Sequence, residues 1–233
     1  MKPGRRLFVG VRISVATVNA LAGCAETLAR RAKDAGIDFR WVAPANYHVT
    51  LAFLGWTRGD VIGPVCDALW AATAGLERIT FRTSRLGAFP SLDQASVLWA
   101  GVEDGAALGR LAQSVGEAVA KLGFPRDARG FHPHVTLARL REPRAIREVV
   151  LPMAEQMFGD TKSDAAVLFE SETKSDSSVY LELEKIPFQR VRKAPRDHDQ
   201  RQTVALERGI TDREPDETID TDDGWPRGQG PTD

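Results

Sequence analysis

Cysteine, tyrosine and methionine are scarce in this chain, at 2, 2 and 3 among 233 residues. Two cysteines, Cys24 and Cys66, cannot supply a disulfide framework, so stability has to come from an apolar core. Both fall in expected helices as small reduced thiols, which fits a cytoplasmic protein. No apolar run approaches the ~18 residues of a membrane span. Charge of one sign is missing too: the formal net charge is −1, which excludes a generally cationic nucleic-acid coat. The acidic excess lies in 189–233, so residues 1–188 are slightly basic and a local anion site is open to them. "LAGC" at Leu21–Cys24, after basic Lys2, Arg5 and Arg6, imitates a lipoprotein export box. Arg12, Ser14, Thr17 and Asn19 interrupt the apolar stretch of about 7–15 residues that export needs, and the expectation remains cytoplasmic.

With 42% apolar residues, the chain can bury one large core or two smaller lobes. "RLFVGVRI" (Arg6–Ile13) reads as a buried strand. Val18, Leu21, Ala25, Leu28 and Ala32 form a helical stripe that opens near Ser14 and stops at Gly36. "FRWV" is a short strand, "APAN" a turn, Tyr47–Leu54 a longer strand, and Val61–Ala74 a helix that tolerates Pro64 near its start. A β-rich segment, "ITFRTSRLGAFPS", follows. The chain then begins again. "LWAGV" (Leu98–Val102) echoes "LFVGV" (Leu7–Val11), and Leu108, Leu111, Ala112, Val115, Val119 and Leu122 repeat the helical stripe up to Gly123. "HVTLARL" from His134 echoes "HVTLAFL" from His48. A helix from Pro143 is expected to break at Pro152, and "AAVLFESE" and "SVYLELEKI" complete the strands. One domain, 1–188, thus divides into similar halves, about 5–90 and 95–188. The remainder, 189–233, is charged, poor in apolar residues and rich in Pro, Gly and Asp, so it is expected to be disordered.

The chemistry lies in the repeated His-x-Thr. Side chains alternate along a strand, so His48 and Thr50 share one face while Val49 and Leu51 share the other; His134 and Thr136 stand likewise against Val135 and Leu137. Two such strands facing one cleft bring two imidazoles and two hydroxyls to a small volume. That set suits a phosphodiester. One histidine takes a proton from water, the other protonates the leaving alkoxide, and the threonines donate to non-bridging oxygens; no cofactor or metal is needed. An isolated His-x-Thr would be an accident of the surface or core, and the second copy in a matching place is what carries weight. His132, on the same side as His134, leaves one alternative: a zinc site of His48, His132 and His134, which would not account for the duplicated threonines. Arg139 follows His134 at an odd spacing of five, which needs a bulge or the strand end to turn it inward.

"FRWVAPANYHVTLAFLG", "LGAFPSLDQASVLWAGV" and "GFHPHVTLARL" together resemble the bacterial and archaeal RNA 2′,3′-cyclic phosphodiesterases. These form the LigT-like branch of the two-histidine phosphoesterase superfamily, once called 2′–5′ RNA ligases. The resemblance covers about residues 5–188. It implies a bilobal α+β fold with pseudo-twofold symmetry: two mainly antiparallel sheets, helices outside, and a central groove. The implied reaction hydrolyses an RNA or nucleotide 2′,3′-cyclic phosphate to a 2′-phosphomonoester. It makes His48 the proton donor, His134 the proton acceptor, and Thr50, Thr136 and Arg139 the phosphate-binding residues. Ala52 stands where many relatives carry lysine, and "SETKSDSS" replaces a loop that is commonly glycine-rich. Trp41, Tyr47, Phe89 and Phe131 are candidates for stacking on a base. The expected partners are RNA ends or 2′,3′-cyclic nucleotides, with no membrane, and a monomer is the default. Rival readings are an RNA-end or nucleotide-binding module with little turnover, and 2′–5′ RNA ligation, which the same acid/base pair could serve.

Overall fold

The computed structural model describes residues 4–125, 130–173 and 178–188; the charged segment 189–233 lies outside the described residues. In chain order the elements are β1 (Arg5–Arg12), α1 (Val15–Asp34), β2 (Arg40–Trp41), β3 (His48–Thr57), α2 (Ile62–Thr73), β4 (Ile79–Phe89), β5 (Ala95–Glu103), α3 (Ala106–Ala120), β6 (His134–Arg144), α4 (Arg147–Val150), β7 (Met157–Ser163), β8 (Ala165–Thr173) and β9 (Ser178–Pro187). The α+β class expected from the sequence is the one observed.

Local chemistry explains the first helix. The Ser14 hydroxyl accepts from the Thr17 amide at 3.2 Å, capping an orphan donor, and donates to the Asp160 carbonyl at 3.0 Å. The helix ends where Gly36 takes φ +64, a conformation that costs a residue without Cβ little; the Ile37 amide then closes back on Ala32 at 2.8 Å. Buried Leu21, Cys24, Leu28 and Ala32 face the sheet. The second stripe is shorter than its sequence suggests. α3 ends at Ala120, so Leu122 lies in the following turn and is partly exposed. Pro143 lies within β6, and α4 starts only at Arg147. β7, which the sequence pattern does not announce, has the glycine-containing sequence "MFGDTKS" and pairs with β4.

The strands run in the order β7-β4-β5-β6-β3-β1-β8-β9, with β2 paired to β6. Every registered pair is antiparallel. Two four-stranded ladders are therefore joined at the middle, where β3 and β6 share a single registered pair, Val49 with Val135. Each sequence half lends strands to the other ladder: β4 sits beside β5, and β8 and β9 sit beyond β1. Order in the chain and order in space thus diverge at these strands.

One face of the sheet packs on the helices. Leu7, Val9, Val11, Val49, Leu98, Ala100, Val135 and Leu137 join Leu21, Leu69, Leu108 and Val115 in one core. Truncating a core leucine of this kind to alanine typically costs about 2–5 kcal/mol. The opposite face carries a separate small apolar cluster of Phe8, Val167, Phe169 and Tyr180. That second face holds the histidines.

Candidate active site

Register decides which residues share the histidine face. On β1 and β3, Arg12 lies opposite His48, Gly10 opposite Thr50, and Phe8 opposite Phe53. On β5 and β6, Gly101 lies opposite His134, Trp99 opposite Thr136, and Val97 opposite Arg139. Each of these pairings carries two register irregularities, and one of them lies next to the His-x-Thr residues. Leu51 has no opposite residue between Ala52 and Thr50, and Leu137 has none between Ala138 and Thr136. Each extra leucine points into the core, so the residue five positions after each histidine returns to the histidine's face. The odd spacing of Arg139 is resolved by this slip.

Both imidazoles are held by the same device. His48 Nδ1 lies 2.6 Å from the Asn46 carbonyl, and His134 Nδ1 lies 2.7 Å from the His132 carbonyl. A carbonyl only accepts, so Nδ1 carries the hydrogen and Nε2 is the lone-pair nitrogen of each neutral ring. In His48 that nitrogen accepts from the Thr50 hydroxyl at 3.0 Å.

Charges on the second half act on the histidine of the first. Burial, followed by the positive charges of Arg12, His134 and Arg139, lowers the His48 pKa to about 4 despite the opposing bond to Asn46. His134 is lowered as well, by burial and then by His132 and Arg139. Arg139 thus acts on both rings. An anion bound among these groups would reverse the shift, because it stabilises each imidazolium.

The surroundings of the histidines are aromatic. Phe8 lies 4.8 Å from His48 between ring centroids, Tyr180 5.3 Å edge-on, and Phe169 5.7 Å. Around His134 stand Phe89 at 5.0 Å and Trp99 at 6.3 Å, and both also contact His132. Two glycines make room. A Cβ at Gly87 would fall 2.2 Å from the Trp99 ring, and one at Gly10 would fall 3.1 Å from His48 Cδ2. Arg12 lies over the Phe169 ring at 4.7 Å, bonds Glu182 at 2.8 Å and reaches the Ala45 carbonyl at 2.6 Å, which ties down the turn that holds His48.

Of the expected stacking residues, Phe89 lies edge-on beside His134. Tyr47 is out of place: it is 2% exposed in the core, and burial pushes its hydroxyl up to about 12, so it has no face to offer a base. The cause is local, since Tyr47 is extended and precedes His48 by one residue, which puts it on the core face with Val49. Trp41 packs against Phe39 and the core edge on β2, and Phe131 stands exposed ahead of β6. Phe8, Phe169, Tyr180, Trp99 and Arg12 went unmarked in the sequence. Phe8 and Gly10 do alternate with core valines, but only strand pairing puts them beside His48. Among the described residues no group of three His, Cys, Asp or Glu is arranged to hold a metal ion, so His48, His132 and His134 do not form the three-histidine set.

Comparison with known proteins identifies the family to which this fold belongs. The family described as LigT like phosphoesterase matches residues 15–99 and 101–180, and the chain belongs to that family. An RNA 2′,3′-cyclic phosphodiesterase of Aeropyrum pernix is 31% identical over 64% of this chain and 85% of its own length. One of Geobacillus stearothermophilus is 37% identical over 52% of this chain, but that match spans only 40% of the relative. A crystal structure from Thermus thermophilus superposes with a TM-score of 0.66 at 25% identity, covering 78% of this chain and 97% of the other. E. coli LigT complexed with 3′-AMP shares the fold, with a TM-score of 0.63 at 21% identity, over 80% of this chain and 99% of the other. No helix among the described residues is long and apolar enough to cross a membrane.

Proposed function

We propose that this protein is an RNA 2′,3′-cyclic phosphodiesterase that works without a metal, by paired histidine acid/base catalysis. His134 Nε2 takes a proton from water as the water oxygen bonds to phosphorus. The P–O3′ bond breaks on the far side, and His48 protonates the departing O3′. The product is a 2′-phosphomonoester. Thr50, Thr136 and Arg139 donate to the non-bridging oxygens, whose charge grows in the transition state. The observation that carries this reading is the matched pair of imidazoles on adjoining strands, each held through Nδ1 with Nε2 as its lone-pair nitrogen.

The low pKa of His48 fits the donor role only with substrate present. In the empty site the ring is neutral at pH 7, and the phosphodiester anion raises its pKa and brings in the proton it will donate. Substrates are RNA ends or free nucleotides carrying the cyclic phosphate. Both histidines come from one chain, so the site is complete in a monomer, and the free thiols Cys24 and Cys66 suit the cytoplasm.

The test is hydrolysis of 2′,3′-cyclic AMP and of cyclic-phosphate-ended RNA in excess EDTA, with the product read by phosphorus NMR. A 2′-phosphate formed at the same rate with and without EDTA is expected. Full activity in His48→Ala or His134→Ala would overturn the mechanism. Loss in EDTA restored by zinc would overturn metal independence.

A further inference from the structure

Pairing carries one row of residues from Thr50 to the edge of the sheet. Thr50 of β3 lies opposite Gly10 of β1, Gly10 opposite Val167 of β8, and Val167 opposite Lys185 of β9. Directly opposed residues share a face, so Lys185 stands on the histidine side of the sheet. Three strand spacings separate it from Thr50, about 14 Å along the sheet, which is beyond a single phosphate held at Thr50.

The row ends at a cavity of about 210 Å³. Arg12, Val167, Glu182 and Lys185 line it from the histidine face, and Lys162 and Asp164 line it from the corner where β7 passes into β8. That corner is fixed by its own bonds. The Ser163 hydroxyl donates to the Ala165 carbonyl at 3.1 Å, and the Phe188 amide donates to the Asp164 carbonyl at 2.6 Å.

The charges around the cavity do not cancel. Glu182 is already paired with Arg12 at 2.8 Å, whereas Lys162 and Lys185 are exposed and make no ion pair among the described residues. Two lysines thus stand against one remaining carboxylate, Asp164, an excess that suits the single negative charge of a phosphodiester.

In-line chemistry says where such an anion comes from. The leaving O3′ belongs to the terminal nucleoside, so that nucleoside lies on the side of the proton donor, and water arrives from the other side. With His48 as donor, the nucleoside and any chain attached to its O5′ run over the ladder of β3, β1, β8 and β9, which carries the row and its cavity. A free 2′,3′-cyclic nucleotide has no second phosphate to place there.

We propose that the cavity between Lys162 and Lys185 is a subsite for an internucleotide phosphate of an RNA chain whose cyclic end sits at the histidines. The inference rests on the proposed function for its donor assignment. It narrows the preferred substrate from any 2′,3′-cyclic nucleotide to the 3′ end of an RNA at least two nucleotides long. Lysine meets phosphate as a flexible point charge, so the subsite adds affinity and position without reading base sequence.

The experiment is calorimetric titration of the full chain with the RNA trinucleotide AAA ending in a 2′-phosphate and, separately, with 2′-AMP, over a series of salt concentrations. Wild type is compared with the double variants Lys162→Ala/Lys185→Ala and Lys162→Arg/Lys185→Arg. One further phosphate neutralised on a single strand steepens the fall of log affinity with log salt by about 0.7. The expected result is trinucleotide binding about fivefold or more tighter than 2′-AMP at low salt in wild type, with that steeper slope. The alanine pair should lose both while its Kd for 2′-AMP stays unchanged, and the arginine pair should keep both. Equal Kd values for the two ligands in wild type would overturn the proposal, as would a trinucleotide Kd within about twofold of wild type in the alanine pair. So would parallel weakening of 2′-AMP, which marks a structural effect, or absence of trinucleotide binding to the wild type. Lysine-dependent trinucleotide binding by a wild type that hydrolyses no cyclic phosphate would uphold the subsite and remove the hydrolase reading, so the two failures are separable.

Discussion

Val49 of β3 lies opposite Val135 of β6, and each valine directly follows a histidine of the site. The strands run antiparallel, so His48 and Thr136 flank that pair at one end and Thr50 and His134 flank it at the other. Both valines are fully buried, which anchors the seam in the core and leaves the polar residues on the open face. The relationship makes one chain behave as two matched half-sites.

Removing either imidazole should remove one proton transfer. His48→Ala and His134→Ala are each expected to lower kcat for 2′,3′-cyclic AMP by about 10²–10⁴-fold. Because the two act in one step, the double variant should lose much less than the product of the single losses. Steady-state assays on the three variants check this.

The pH profile follows from two lowered histidines. In the proposed mechanism the productive state of the free enzyme has one ring protonated and one neutral, so kcat/KM should be bell-shaped with limbs at the two free-enzyme pKa values. Both rings are shifted below the ordinary 6.5, so both limbs should fall below it. The limbs of kcat should lie higher, since bound phosphate favours the imidazolium. A free-enzyme limb above 6.5 would contradict the site's electrostatics.

Stability should weaken toward acid for the same reason. The unfolded His48 ring titrates near 6.5 and the folded one at about 4, so between these values the unfolded chain binds the extra proton. Folding stability is therefore fully present above pH 6.5 and falls as pH drops toward 4, by about 3 kcal/mol at most from this group. Urea unfolding at about pH 7, 6, 5 and 4 should show the fall, with a shallower slope in His48→Gln.

Space around His134 can be tested without touching a polar group. Gly87→Ala sets a Cβ against the Trp99 ring, which must move, and the overpacking should cost about 1–3 kcal/mol. Displacing Trp99 also disturbs the aromatic contacts of His132 and His134. Reduced urea stability with a changed near-ultraviolet Trp signal and a lower kcat is expected. Gly109→Ala, where a Cβ meets nothing within 4 Å, serves as the control.

In the proposed mechanism Arg139 meets phosphate charge with a planar donor set that lysine lacks. Arg139→Lys should raise the KM for cyclic nucleotide severalfold, and Arg139→Ala should raise it further and lower kcat. Initial-rate kinetics at fixed ionic strength separate these effects.

Much of this was legible in the sequence. The Ser14 cap, the Gly36 stop and the alternation of Val49 and Val135 with His48 and His134 are local patterns with local causes. β7 was not legible, because its alternation is weak and its pairing with β4 is long-range. Tyr47 lies on the core face because it alternates with His48 and so shares the side of Val49 and Leu51.

The sequence by itself determined the two His-x-Thr strands, the duplicated β-α-β plan and the face each histidine takes, since all of these follow from the period of two along a strand. Tertiary structure alone decided what stands beside them. Phe8 and Trp99 reach His48 and His134 through pairings within each half, and Phe169, Tyr180 and Phe89 through pairings that cross the halves. The slips at Leu51 and Leu137 that bring Phe53 and Arg139 to the site belong to that pairing as well. A bulge is a relation between two strands, and no single strand's sequence contains it.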